Sequence, residues 1–321
     1  MISAYVRFWD QREPVGPLAA VRLLVGAVLL FDLLQAWYLG LVPDLWAPFT
    51  EGGLGKLSEP QPGAWLFWTP TTESAWLLWG VTTAAAATFL LGLATPVSCA
   101  VLVFGTAQLG HLSPKSDVGI DILLRWALLI LLFSRCGATW SLDAWLRRRR
   151  FHRPWVEAPA WPRYLLIGQL LLLYLSAGIA KSHDRWTPWG GAYAVYLVMW
   201  DPTFSRFSPE WLSWGFPITQ VMTVATLFWE LSSPLVLLSY WAAYPAKGAR
   251  TPSWRRWLGR FRLLYIAMGI GFHVALMVTL RLGVFAHGVL ALYPAFFHQR
   301  ELAALVSAAR NRWFRSLPTD G

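Results

Sequence analysis

Seven ionisable side chains lie within apolar stretches or at their ends: Arg22, Asp32, Arg125, Lys181, Glu230, His273 and His287. Charge inside lipid is costly, so each needs either a partner or a function. Lys181 closes the run Leu170-Leu-Leu-Leu-Tyr-Leu-Ser-Ala-Gly-Ile-Ala-Lys181. Either it snorkels to the membrane interface, or it is lodged in a dry pocket where its neutral amine serves as a base. Glu230 sits in Phe228-Trp229-Glu230-Leu231 ahead of Pro234, whose ring frees a carbonyl one turn earlier. Its carboxyl is either neutral or paired with Arg22 or Arg125.

The other candidates carry plainer alternatives. Arg22 and Asp32 are ten residues apart on one helix, nearly three turns, so each requires a partner on another helix. Asp121 and Arg125 have the four-residue spacing of an intrahelical ion pair, and Asp121 also suits the dipole at a helix start. His273 and His287 belong to neighbouring apolar segments, but two histidines without a third ligand are too few for a metal centre. A hydrogen-bonded core histidine is the alternative for each, and no metal is expected. Cys99 and Cys136 read as buried structural thiols. No phosphate loop, zinc-protease signature, nucleophile elbow or dinucleotide fingerprint is present.

The elements that carry these residues are membrane helices. The chain is 56% hydrophobic and 14% charged, far from the balance of a soluble domain. Its apolar runs are Leu/Ala/Val-rich rather than alternating, so the fold class is all-α, a polytopic helical bundle. Spans are expected at 17–41, 74–93, 96–111, 119–136, 163–181, 217–240, 263–280 and 283–298. Breaks fall at Gly92–Pro96 and at Arg281-Leu282-Gly283. No cleaved leader is expected, and the first run reads as a retained span. Residues 1–300 form the transmembrane domain, and 301–321 a basic amphipathic cytoplasmic tail.

The net charge of +10 is concentrated between apolar runs, so it reads as membrane topology rather than nucleic-acid binding. Six Lys/Arg fall in 141–163, six in 241–262, four after 298, and Arg7 and Arg12 near the start. Eight spans put all of these on the cytoplasmic side, with both termini inside and Lys181 at the outer face. Segments 42–73 and 182–216 are long connections. The second, with Trp186, Trp189, Tyr193 and Trp200, suggests helices lying in the interface. The excess of Arg over Lys suggests a bacterial plasma membrane.

Several pieces, in order, resemble the horizontally transferred transmembrane (HTTM) family, which includes the membrane domain of vitamin K-dependent gamma-carboxylase. They are Arg22 with Phe31-Asp32-Leu33-Leu34; Phe49-Thr-Glu-Gly-Gly53; Gly92-Leu-Ala-Thr-Pro-Val-Ser-Cys-Ala100; Trp140-Ser-Leu-Asp143; Gly168-Gln169 with Tyr174-Leu-Ser-Ala-Gly-Ile-Ala-Lys181 and Trp186; and Phe272-His273 with Leu282-Gly-Val-Phe285. The resemblance spans roughly residues 17–300. It implies a quinol-dependent oxygenase or a carboxylase-like lyase in which Lys181 deprotonates a reduced quinone similar to vitamin K hydroquinone. Lys181, Glu230 and His273 are then the candidate catalytic residues. Arg22, Asp32, Asp121, Arg125 and Tyr174 are the candidate quinol-binding residues.

Two departures qualify this reading. The family's catalytic histidine falls at Ile120 or Asp121, and His111 is off register. The chain also leaves no room for the carboxylase's large soluble region, so a substrate protein would have to be a separate partner. A non-enzymatic membrane protein that binds a lipid or a protein partner is the alternative. A transporter is a third reading, without the inverted repeats that many transporters show.

Overall fold

The computed structural model describes residues 6, 10–55, 71–149, 156–208, 210–243 and 252–316. Of the basic residues counted above, Arg7, Arg150, Arg153, Lys247 and Arg250 lie outside these. The chain divides into two compact units, residues 1–166 with 291–321, and residues 167–290.

The first unit begins with β1 (Arg12–Pro14), paired antiparallel with β2 (Glu157–Pro159) so that Glu13 faces Ala158. α1 (Gly16–Tyr38) packs against α3 (Thr72–Leu91), which packs on α4 (Thr95–Leu112), and α4 packs on α5 (Gly119–Leu132). Between α1 and α3 lie the short α2 (Leu41–Trp46) and a 3-10 turn, Phe49–Glu51. α6 (Leu142–Arg148) follows α5, and α13 (Gln299–Ser316) closes the unit. The chain changes unit within α7 (Trp161–Ala180) and within α12 (Phe285–Leu292).

The second unit contains most of α7, two 3-10 turns (Asp184–Trp186 and Pro188–Gly190), and α8 (Ala194–Trp200). α9 (Glu210–Leu231) packs on α8, and α10 (Ser233–Ala243) runs along α11 (Ser253–Thr279). Segment 182–216 is therefore tied down by short helical turns, with Trp189 and Trp200 exposed. Many large apolar side chains face outward, Leu77, Leu172 and Ile179 among them at over 60% exposure. In water such surfaces would aggregate; on a membrane helix they face lipid.

The chain is an all-α, multi-pass membrane bundle, but its span count is lower than eight. Among the described residues, five helices are long and apolar enough to cross a bilayer: α1, α3, α4, α7 and α11. The expected span 217–240 is a broken one, α9 and α10 meeting at a 49° bend, and counting it as one crossing gives six. Pro234 supplies the physical cause, since it cannot donate to the carbonyl of Glu230.

The expected spans 119–136 and 283–298 are too short to cross. α5 has 14 residues, about 21 Å of helix against about 30 Å of hydrocarbon. The apolar helical stretch Phe285–Phe296 is shorter still. Both bury an apolar face in protein: Leu124, Leu128, Val289 and Leu292 are at most 1% exposed, while Ile122 and Trp126 of α5 face outward. Composition alone does not separate a short core helix from a span.

The one-sided placement of basic residues falls with the count of eight. With six crossings both termini share a side, but segments 141–163 and 241–262 fall opposite them. The outer-face position of Lys181 rested on the same count and falls too. Two of the cations are also no topology markers, because Arg163 and Arg262 are buried at 3% exposure.

Candidate functional site

Tyr174 and Gly178 on α7, and Lys181 in the turn that directly follows it, recur at four and three residues, so they share one face. The absence of a side chain at Gly178 lets α7 close on α9. A Cβ there would lie 3.0 Å from the backbone nitrogen of Leu231 and 3.1 Å from Cβ of Glu230. This close approach brings Lys181 to Glu230. The lysine Nζ donates to Glu230 Oε1 at 2.9 Å, and the two side chains are 25% and 5% exposed. The Trp186 ring lies 5.4 Å from the same Nζ. The second carboxyl oxygen, Oε2, is buried and has no hydrogen-bond partner among the described residues.

Of the two readings of Lys181, neither holds alone: the amine is mostly covered, and it is held by a carboxylate. Glu230 takes Lys181 as its partner in place of Arg22 or Arg125. An ion pair at this depth repays its desolvation only through close geometry, and removing one partner strands the other.

Further along the same helices, Tyr174 Oη and His273 Nε2 are hydrogen-bonded at 2.9 Å. The ring of Tyr174 packs on Trp229 with centroids 4.5 Å apart, and Trp229 stacks on Tyr265 at 5.2 Å. The Trp229 indole N–H donates to the Tyr265 carbonyl at 3.1 Å. Tyr265, Gly269 and His273 are all buried at four-residue spacing on α11, so they form one stripe. Trp229 precedes Glu230 in the chain, so the aromatic cluster and the ion pair share the end of α9. Ser233 Oγ anchors the bend by donating to the Leu171 carbonyl at 3.0 Å. The site thus has two positions where a proton can rest, Lys181–Glu230 and Tyr174–His273.

Gly178→Val inserts a branched side chain where there is no room. It is expected to cost about 1–3 kcal/mol by overpacking. A lowered melting temperature in detergent checks this, and an unchanged one would show that α7 and α9 can part freely.

Four other sequence candidates belong to the first unit, and three of them have structural work there. Arg22, fully buried, donates from Nη1 to the carbonyls of Phe89 (2.7 Å) and Leu90 (2.8 Å) and from Nη2 to that of Trp140 (2.5 Å). Two of these carbonyls lie at the C-terminus of α3, where that of Phe89 also accepts from the Gly92 N–H at 3.1 Å and a cation is favoured by the helix dipole. Gly92 ends that helix at φ +69°, a left-handed turn that suits glycine. Asp143 then caps the next helix: its carboxylate accepts from the N–H groups of Ala94 and Thr95 (both 2.9 Å) and from Thr95 Oγ1 (2.8 Å). Arg22 and Asp143 therefore grip the two sides of one turn, Gly92–Pro96.

Asp121 does not pair with Arg125. It accepts from the Val118 N–H at 2.9 Å, capping α5, while Arg125 forms a two-pronged bridge to Asp117 at 2.8 and 2.7 Å. A planar guanidinium favours that fork over a single helical neighbour. Asp32 is half-buried on α1. Ile120 is 2% exposed, in the core of the first unit. Glu51, in the Phe49–Gly53 motif, accepts from Thr72 N–H at 2.7 Å and Oγ1 at 2.6 Å, and those bonds hold its carboxyl below the usual range.

His287 is exposed, and no group of three or more His, Cys, Asp or Glu gathers to hold a metal among the described residues. Sequence reasoning missed Asp117, Trp229 and Tyr265. The four-residue spacing from Tyr265 to His273 was a usable signal; nothing in helical spacing pointed to Asp117.

For Asp143, burial acts to raise its pKa, but the bonds from Thr95 and Ala94, helped by Arg147, outweigh it and hold the carboxyl below its ordinary 3.8. A depressed folded value means the stabilisation is present above pH 3.8 and is lost as pH falls through the lower folded value. Asp143→Ala should cost about 1 kcal/mol at neutral pH, as loss of a helix cap does. The gap between variant and wild type should close below that pH, as read by thermal melts across pH 3–7.

Together the bundle and its buried polar pairs define a multi-pass, all-α membrane protein. A family model described as the HTTM domain matches residues 11–242, nearly three-quarters of the chain. The chain belongs to that membrane-associated family, the one the sequence motifs resembled. The matched stretch contains Lys181 and Glu230 and ends before His273. Comparisons with curated proteins and with solved structures return no match.

Proposed function

We propose that this protein is a membrane enzyme that deprotonates a lipid-soluble quinol, with Lys181 as the base and Glu230 as its proton partner. The observation that carries the reading is the Lys181–Glu230 hydrogen bond at 2.9 Å beside a buried, unpartnered Glu230 Oε2. One proton lies between the two groups. With that proton on Glu230 Oε1, the Lys181 amine is neutral and can take a second proton from a phenolic hydroxyl. The free Oε2 is an acceptor suited to holding such a hydroxyl.

A reduced quinone, when bound, supplies the phenolic proton and two electrons for oxygen. The Trp186 ring, 5.4 Å from the amine, supplies a flat apolar wall of the kind an aromatic ligand packs on. Tyr174 and His273 hold a second exchangeable proton in the same unit. Arg22, Asp121 and Arg125 are withdrawn from the quinol-binding set, since each is committed to hydrogen bonds within the first unit. Neither Ile120 nor Asp121 is the histidine that the carboxylase would have there, so oxidation of the quinol rather than protein-glutamate carboxylation is the activity favoured. The cell membrane, of bacterial type, is the location that fits.

Purified protein in lipid nanodiscs, supplied with a reduced naphthoquinone, should consume oxygen in proportion to protein. No uptake above the protein-free rate, together with no quinone co-purifying, would overturn the reading in favour of a non-enzymatic role.

A further inference from the structure

α11 has 27 residues, about 40 Å of helix against about 30 Å of hydrocarbon. From Leu263 to Thr279 it contains no Asp, Glu, Lys or Arg, so the surplus length falls at its start. There the sequence reads Ser253-Trp-Arg-Arg-Trp-Leu-Gly-Arg260. Its first two turns therefore reach headgroup depth.

At that depth a groove of about 450 Å³ is lined by Ser253, Trp254, Arg256, Trp257 and Arg260. Ser253, Trp257 and Arg260, with Arg256 one turn before Arg260, recur at three and four residues and share a face. Trp254 and Trp257 are large aromatic rings, 57% and 73% exposed. Arg256 and Arg260 are exposed, and neither makes an ion pair or side-chain hydrogen bond among the described residues. Stretch 241–262 contains no Asp or Glu to neutralise them.

We propose that this groove binds the headgroup of an anionic glycerophospholipid. Arg256 and Arg260, one turn apart, donate to the phosphate oxygens, which guanidinium groups match in geometry and charge. Trp254 and Trp257 lie beside the glycerol and ester region, the depth at which tryptophan partitions. Length, charge and aromatic placement agree on a lipid rather than a soluble anion. The site is independent of the quinol reading.

The test is native mass spectrometry of the full chain released from detergent, titrated with phosphatidylglycerol or phosphatidylcholine. Wild type is expected to retain phosphatidylglycerol at least tenfold better than phosphatidylcholine, and the double variant R256Q/R260Q to lose that preference. Equal retention of the two lipids by wild type would overturn the proposal without any variant. So would displacement of phosphatidylglycerol by millimolar inorganic phosphate, or an unchanged preference in R256Q/R260Q.

Discussion

Lys181→Arg should lower quinol-dependent oxygen uptake at least a hundredfold while leaving the protein folded. Arginine keeps the positive charge and can still bridge to Glu230, so the local electrostatics survive. What it cannot do is give up its proton, because guanidinium stays charged at any accessible pH. General-base catalysis is worth roughly 10²–10⁴ in rate, which sets the size of the loss. Glu230→Gln makes the complementary change: the shape remains, but the amine loses the carboxylate that takes its proton. Both variants should elute as wild type on size exclusion. Uptake equal to wild type in Lys181→Arg would remove the amine from the chemistry, whatever the state of Glu230.

Arg22→Met is the substitution expected to cost most in stability, about 3–5 kcal/mol, the range for breaking a buried charged network. Three backbone carbonyls lose the guanidinium donor at once, and of these that of Phe89 keeps a second donor in the Gly92 N–H. Methionine fills the volume but accepts and donates nothing useful. Arg22→Lys keeps the charge yet cannot reach carbonyls on both α3 and the Trp140 turn, so it should recover only part of the loss. Thermal unfolding in detergent, followed by loss of monodisperse protein, reads the order wild type, Lys, Met. A Met variant as stable as wild type would mean that the turn at Gly92–Pro96 holds without its clamp.

Much of this was legible in the chain before any coordinates. The face Tyr174-Gly178-Lys181 follows from helical spacing, and the α3–α4 break follows from Gly92 and Pro96. The partner of Lys181 was not legible, because Glu230 lies 49 residues away and only the packing of α7 on α9 joins them. Arg125 shows a local rule losing to a better geometry: the helical neighbour Asp121 was in reach, but the loop residue Asp117 offered both oxygens. Arg22 looked like a cation in search of an acid, and it found carbonyl oxygens instead. The span count erred for a different reason, since Leu-rich helices buried in protein and in lipid have the same composition.

The small ribbon made by Arg12–Pro14 and Glu157–Pro159 has a practical consequence. It carries Glu13 to Arg163, whose guanidinium is bridged by that carboxylate at 2.7 Å and also donates to the Ala295 carbonyl at 3.0 Å. Trimming the first fifteen residues to tidy an expression clone would strand a charge inside the fold. An affinity tag or fluorescent fusion therefore belongs beyond residue 316, behind a spacer, and the stretch that carries Glu13 is best left in place.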